Sequence, residues 1–180
     1  YQAGSRLAAL HPNRFAIVGL KLAIETYSKR AEGFRMALAE NGYDPAADVV
    51  ELWEESRIRH TDDLFVAGQR MARKLLREDP LPEAVFVVND VIAHGVQETL
   101  RKAGRYDGIT LFGYDNIFPE ISRKCHFSTI AIDFPRMGRR AIELIAASTF
   151  IPKTVFLPPQ MICRINPVTM DASHEDSATL

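Results

Sequence analysis

Asn89 and Asp115 each follow an apolar run that reads as a buried strand, and each offers a short polar side chain to whatever lies beyond it. An amide can donate and accept while an ionised carboxylate accepts, so the two together could hold vicinal hydroxyls or the nitrogens of a ring. Both residues also have an ordinary local use. Asn89 or Asp90 can cap the helix that follows, and Asp115 can make an Asx turn with Asn116. On residue types alone the two readings stand level. Arg30, one turn into a helix that follows a strand, could reach the same mouth with its planar fork or could serve as a surface ion-pair partner.

Other groups point away from catalysis. The chain has no Gly-x-Ser-x-Gly elbow, no phosphate-binding loop, no Gly-x-Gly-x-x-Gly turn and no His-Glu-x-x-His pair. Its five histidines, His11, His60, His94, His126 and His174, are scattered and lack the clustered spacing of a metal site. Glu54-Glu55 and Asp62-Asp63 are adjacent in sequence, so their side chains diverge and read as capping or solvated groups, with Thr61 or Asp62 an N-cap. Cys125 and Cys163 form no ligand cluster, and neither a disulfide scaffold nor a zinc site is expected. Trp53 and Phe65 read as core aromatics. The run Arg136-Met137-Gly138-Arg139-Arg140, beside Ile142, Leu144 and Ile145, reads as one solvated helix face. No cofactor is implied.

These groups need elements to place them. Residues 1–10 read as a helix closed by His11-Pro12-Asn13, and Phe15 to Gly19 as a buried strand. Ser28 can cap a helix with Ala31, Phe34, Ala37 and Leu38 on one face, stopped at Asn41-Gly42. Val49 to Trp53 is a second strand. Thr61-Asp62 opens a helix with Phe65, Met71, Ala72, Leu75 and Leu76 inward, closed by Pro80-Leu81-Pro82. Ala84 to Val88 is the third strand, Val91 to Ala103 a helix stopped by Gly104, and Ile109 to Phe112 the fourth strand. Strands apolar on both faces that alternate with amphipathic helices predict a doubly wound α/β fold on a parallel sheet. Ligands of such sheets bind beyond the carboxyl ends of the strands, where Asn89-Asp90 and Gly113-Tyr114-Asp115-Asn116 fall. After Asn116 the alternation changes. Phe127 to Ile132 is strand-like, a helix runs from Arg136 to about Ala147, and the extended stretch Thr154 to Ile165, with Pro158-Pro159, suits an edge or a crossover.

Length and charge bound the rest. With 180 residues, 47% hydrophobic and 25% charged, the chain is one globular domain or one lobe of a larger one. A formal charge of −1 supplies no field for DNA or an acidic membrane, so any nucleic-acid contact must come from elsewhere. No apolar run approaches the roughly 20 residues of a membrane span. A cytoplasmic location is expected.

Taken in order, five segments resemble the effector-binding domain of the LacI/GalR family of bacterial repressors, whose fold is shared with periplasmic sugar-binding proteins. They are Arg30-Ala31-Glu32-Gly33-Phe34 with Asn41-Gly42; Ala84 through Asn89-Asp90 with Ala93 and Gly95; Gly113-Tyr114-Asp115-Asn116; Ser128-Thr129-Ile130 with Gly138 and Ala141; and Leu157-Pro158-Pro159-Gln160-Met161-Ile162-Cys163-Arg164. The resemblance implies the C-terminal lobe of a type I periplasmic-binding-protein-like fold over residues 1–168. The lobe itself would comprise 1–131 and 159–168, with 132–158 returning to an N-terminal lobe and 169–180 a flexible tail. Arg30, Asn89 and Asp115 are then the effector-binding positions. Asp63 stands where many relatives place a stacking aromatic, which counts against a stacked pyranose or purine and favours a more polar ligand.

The function implied is that of a transcriptional regulator, a repressor of the LacI type, whose effector (a sugar or a nucleobase-like metabolite) binds between two lobes and alters operator affinity. Operator DNA would be met through an N-terminal helix-turn-helix outside this sequence. A homodimer through this lobe is expected, with Ile92, Ile117 and Phe118 as exposed apolar candidates. The alternative is a periplasmic solute-binding protein of an ABC-type sugar transporter. A phosphoacceptor domain on a similar sheet would want a lysine after a late strand, and Gly113-Tyr114 offers none. Replacing Arg30 or Asp115 by alanine is expected to abolish effector response and leave the fold intact.

Overall fold

In the computed structural model, residues 1–21, 25–55, 61–117, 125–147 and 154–164 are described. The apolar runs form six strands: β1 (Phe15–Lys21), β2 (Val49–Glu55), β3 (Ala84–Val87), β4 (Thr110–Asp115), β5 (Ser128–Ala131) and β6 (Gln160–Ile162). Between them lie α1 (Gln2–Ala8), α2 (Glu25–Glu40), α3 (Pro45–Asp48), α4 (Thr61–Leu75), α5 (Asp90–Lys102) and α6 (Phe134–Ala146). The sheet order is β2-β1-β3-β4-β5-β6, parallel except for β6, which runs antiparallel to β5 at the edge. Pro158 and Pro159 come just before β6, in keeping with an edge strand.

This order fixes where the helices go. From β1 the chain moves one way to β2 through α2, then back across β1 to β3 through α4, and onward to β4 through α5. Right-handed crossovers in opposite directions put α2 on one face of the sheet and α4 and α5 on the other. Helices cover β1 and β3 from both sides, and Phe15, Ile17, Val18, Val85 and Val87 are fully buried. The rings of Phe34 on α2 and Phe86 on β3 stack at 4.8 Å, and Phe15 meets Tyr43 edge-on at 4.7 Å. On the other face α4 and α5 approach to backbone contact. A Cβ on Gly95 would stand 2.1 Å from the Phe65 carbonyl oxygen, and one on Gly68 would stand 2.2 Å from that of Ile92.

Several local expectations change. Ser28 does not cap α2; the helix begins at Glu25 and the Ser28 hydroxyl donates to the Glu25 carbonyl at 2.8 Å. Nothing in Glu25-Thr26-Tyr27 breaks a helix, so the turn before Ser28 is helical too. The short α3 was not anticipated, although Asp44-Pro45 carries its signature: the Asp44 carboxylate accepts from the Ala46 N–H, with Pro45 at the first turn. Ile92 is fully buried, its carbonyl side facing Gly68 of α4, so it cannot serve as an exposed dimer contact. Ile117 is exposed, while Phe118, the side chains of Thr61 and Asp62, and the tail 169–180 lie outside the described residues. Along α6 no residue is buried, and Phe134, Met137, Ile142 and Ile145 are exposed together with Arg136 and Arg139.

Candidate functional site

The direction of the strand connections reverses between β1 and β3, and there the carboxyl ends of the strands open a crevice. Three elements deliver a polar side chain to it. Arg30 comes from α2, the helix after β1; Asn89 stands between β3 and α5; Asp115 is the last residue of β4. The Arg30 guanidinium donates through Nη1 to the Val88 carbonyl at 2.6 Å and to Asp115 Oδ2 at 3.2 Å, while Nη2 meets Asp115 Oδ1 at 2.7 Å. Asn89 Nδ2 donates to Asp115 Oδ2 at 2.7 Å. The Arg30 and Asp115 side chains are 12% and 6% exposed. This is a buried, forked ion pair, not a surface one.

Asn89 caps the helix it precedes and also meets Asp115. Its Oδ1 accepts from the Val91 and Ile92 N–H groups at 2.9 and 3.4 Å, capping α5, and its amide nitrogen is free to hold Asp115. Burial pushes the Asp115 carboxyl upward, against the opposing pull of Arg30 and Asn89. The Arg30 guanidinium carbon lies 3.8 Å from the centre of the Tyr114 ring and 5.6 Å from that of Tyr27. Among the described residues, the buried Arg30 Nε has no hydrogen-bond partner. A cavity of about 400 Å³ opens on the Tyr114 side, lined by Thr26, Lys29, Arg30, Tyr114, Ile130 and Ile132 among others. That is within the size range of small-molecule sites. Arg30 belongs to both the cavity and the polar cluster.

Asp63 stands apart from these bonds. It lies half-buried in the first turn of α4, and its charge acts on Arg70, whose ionised form is favoured chiefly by the hydrogen bond to Glu54. Glu54 is thus taken up by Arg70, with Nε at 2.8 Å, and Glu55 by Lys21 at 3.8 Å, which leaves neither as an acid/base pair. Trp53 packs against the core, its ring over Gly19 and its indole N–H donating to Glu51 at 2.7 Å. Phe65 is half-buried, 5.1 Å from the His94 ring.

Sequence reasoning missed a second layer. Asp90, which the sequence offers as a cap at the mouth of the sheet, is buried and accepts from the Thr129 hydroxyl at 2.8 and 2.9 Å and from the Asn116 N–H at 2.9 Å. Arg164 donates to Asn116 Oδ1 at 3.2 Å and to the Phe127 carbonyl at 3.0 Å, joining the two ends of the connection between β4 and β5. Only the placement of Asp90, Thr129 and Arg164 within the five motif segments hinted at them; no local pattern predicts bonds across 26 to 48 residues.

A family model described as a periplasmic binding protein-like domain matches residues 5–164. The chain is 31% identical over 131 residues to the HTH-type transcriptional repressor PurR of Pasteurella multocida, covering 72% of this chain and 37% of that one. It is 28% identical over 119 residues to the lactose operon repressor of Klebsiella pneumoniae, covering 63% and 34%. The chain therefore spans little more than a third of the length of these curated relatives. A LacI family transcriptional regulator from Enterococcus faecium, solved with bound ribose, superposes with a TM-score of 0.72 at 24% identity, over 90% of this chain and 59% of that one. Another from Clostridium acetobutylicum superposes at 0.76 and 19% identity, over 91% and 61%. These likenesses are ones of fold.

Proposed function

This chain belongs to the periplasmic binding protein-like domain family, and from that premise we propose that it is the ligand-binding lobe of a LacI-type transcriptional regulator responsive to a small polar effector. The observation that carries the reading is the buried Arg30–Asp115–Asn89 cluster at the strand ends, where sheets of this type take their ligands. Fork, carboxylate and amide offer donors and acceptors in fixed directions, as recognition of vicinal hydroxyls requires. A sugar is the effector class best supported, since a structural neighbour binds ribose and the ion-paired cluster has no surplus charge for an ionic ligand. Asp63, in the first turn of α4, is a further candidate contact.

As a regulator rather than an enzyme, the protein would act in the cytoplasm by shifting between arrangements that bind effector unequally, because a ligand with equal affinity for both shifts nothing. Operator DNA would be met by a helix-turn-helix outside this sequence, and a homodimer through this lobe would use the exposed Ile117. Residues 132–158 would return to a second lobe, a reading supported by the exposed apolar side of α6 at Ile142 and Ile145. The transporter alternative has less support, because the curated relatives are named as repressors.

The test is calorimetric titration of the full-length protein with a panel of pentoses, hexoses, disaccharides and purines. At least one should bind, and Asn89→Ala should weaken it tenfold or more. If no member bound, or the variant bound as well as the parent, the reading would fail.

A further inference from the structure

Asp90 occupies the first position of α5, where an acidic residue ordinarily serves the helix dipole from the surface. Here its side chain turns inward instead. It is 9% exposed, and its carboxylate crosses to β5 for the Thr129 hydroxyl and to the residue after β4 for the Asn116 N–H. Gly113 of β4 makes room for it, since a Cβ there would stand 2.1 Å from Asp90 Oδ1. We infer that Asp90 is a positioning residue of the ligand site: by holding the Asn116 N–H and the Thr129 hydroxyl, its carboxylate sets the turn on which Asp115 meets Arg30 and Asn89.

The turn needs such a hold. Asp115 has φ of 106°, backbone that a residue with a Cβ adopts only when its surroundings impose it, and Asn116 follows with φ of 50°, a left-handed turn that asparagine tolerates. Arg164 fixes the Asn116 side chain and the Ile132 N–H reaches the Asp115 carbonyl at 3.3 Å, but the Asn116 N–H itself is fixed by Asp90 alone among the bonds described. The Thr129 hydroxyl and the backbone N–H groups of Asn116 and Tyr114 all bond to the Asp90 carboxylate, so they favour the ionised form. Burial opposes them and raises the group to about 6, helped by the charge of Asp115. The charged and titratable groups around Asp90 are Asp115 from β4, Cys125 from the segment before β5, Arg164 after β6 through Asn116, and Arg30 of α2 through Asp115. Taking up a proton would therefore loosen the Asn116 bond and, through the turn, the Asp115–Arg30 pair.

The inference rests on the proposed function only in calling Asp115 a ligand contact, and it is tested without ligand. In the full-length protein, the Asn116 amide and the Arg30 guanidinium N–H resonances are followed by heteronuclear NMR between pH 7.5 and 4.5. The expected result is a shared step with a midpoint near that of the Asp90 carboxyl carbon, absent from both signals in Asp90→Asn, with the Arg30 signals displaced in that variant at every pH. Thr129→Val, which removes one donor and keeps Asp90, should move the midpoint upward. If Arg30 were silent while Asn116 titrated, if Asp90→Asn left the Arg30 signals in place, or if Thr129→Val left the midpoint unchanged, Asp90 would be a structural residue only. A failed ligand panel would leave these outcomes untouched.

Discussion

Gly113 and Asp90 fit each other as space and occupant: a methyl group on Gly113 would stand 2.1 Å from Asp90 Oδ1 and 3.0 Å from the Phe127 ring. The neighbouring ring and the bonded carboxylate leave a Cβ nowhere to go without moving Asp90 off Thr129 and Asn116. Gly113→Ala is expected to cost about 1–3 kcal/mol in urea unfolding, the usual range for overpacking, and to shift the Asn116 amide. An unfolding curve that overlays the parent's would mean that Asp90 is not held as described.

The Arg30–Asp115 pair revises an expectation drawn from the sequence. Loss of effector response with an intact fold suits exposed ligand contacts, but these side chains are 12% and 6% exposed and pair with each other. Removing one partner strands a buried charge, so Arg30→Ala or Asp115→Ala should each cost about 3–5 kcal/mol. The double variant Arg30→Ala/Asp115→Ala should cost less than the two single changes summed, with a coupling of about 1 kcal/mol or more in a double-mutant cycle. Additive losses would show that the pair is not coupled.

How far the sequence carried this picture depended on the range of each interaction. β1, β3 and α5 could be read within a residue or two because their burial pattern is local: Ala84 to Val87 is buried on both faces and Asn89 caps the helix it precedes. The order of the motifs led to Arg30, Asn89 and Asp115 together. What stayed hidden was set by three-dimensional register. That Asn89 both caps α5 and donates to Asp115 could not be read locally, and the inward turn of Asp90 depends on a glycine 23 residues later that local pattern gives no reason to connect with it. Ile92 was misplaced for the same reason. Its exposure depended on how closely α4 packs, which Gly68 and Gly95 decide by letting the two backbones touch.

The pH dependence of stability carries a definite sign. Asp90 rises from 3.8 to about 6 in the folded protein, which therefore binds that proton more tightly than the unfolded chain does. Its contribution to stability is fully present below about pH 4 and is lost as pH rises through 6, a change of about 3 kcal/mol for a shift of this size. Asp115 is raised as well and adds to the same trend. Urea unfolding of the parent and Asp90→Asn at several pH values should show the variant gaining relative to the parent between pH 4 and 7. A gap independent of pH would sink the assignment of a raised Asp90.

The two cysteines provide a probe of whether Cys125-His126-Phe127, just before β5, stays packed beside Asp90. Cys125 is 5% exposed and its thiol is pushed up to about 12, mainly by burial and further by the charge of Asp90, against Arg164 and Arg101. Cys163, beyond β6, is exposed, and both thiols are free. Exposed Cys163 should react with a disulfide reagent in the folded protein, while Cys125, buried and with its thiolate disfavoured, reacts only when residues 125–127 open. One equivalent is expected to label within minutes under native conditions, and the second at a rate that rises with added urea. Gly113→Ala displaces the groups beneath this segment and should speed the second phase at least tenfold, with Cys163 unchanged. If Cys125 labelled as fast as Cys163 in the parent, the burial that raises both Cys125 and Asp90 could not be present in solution.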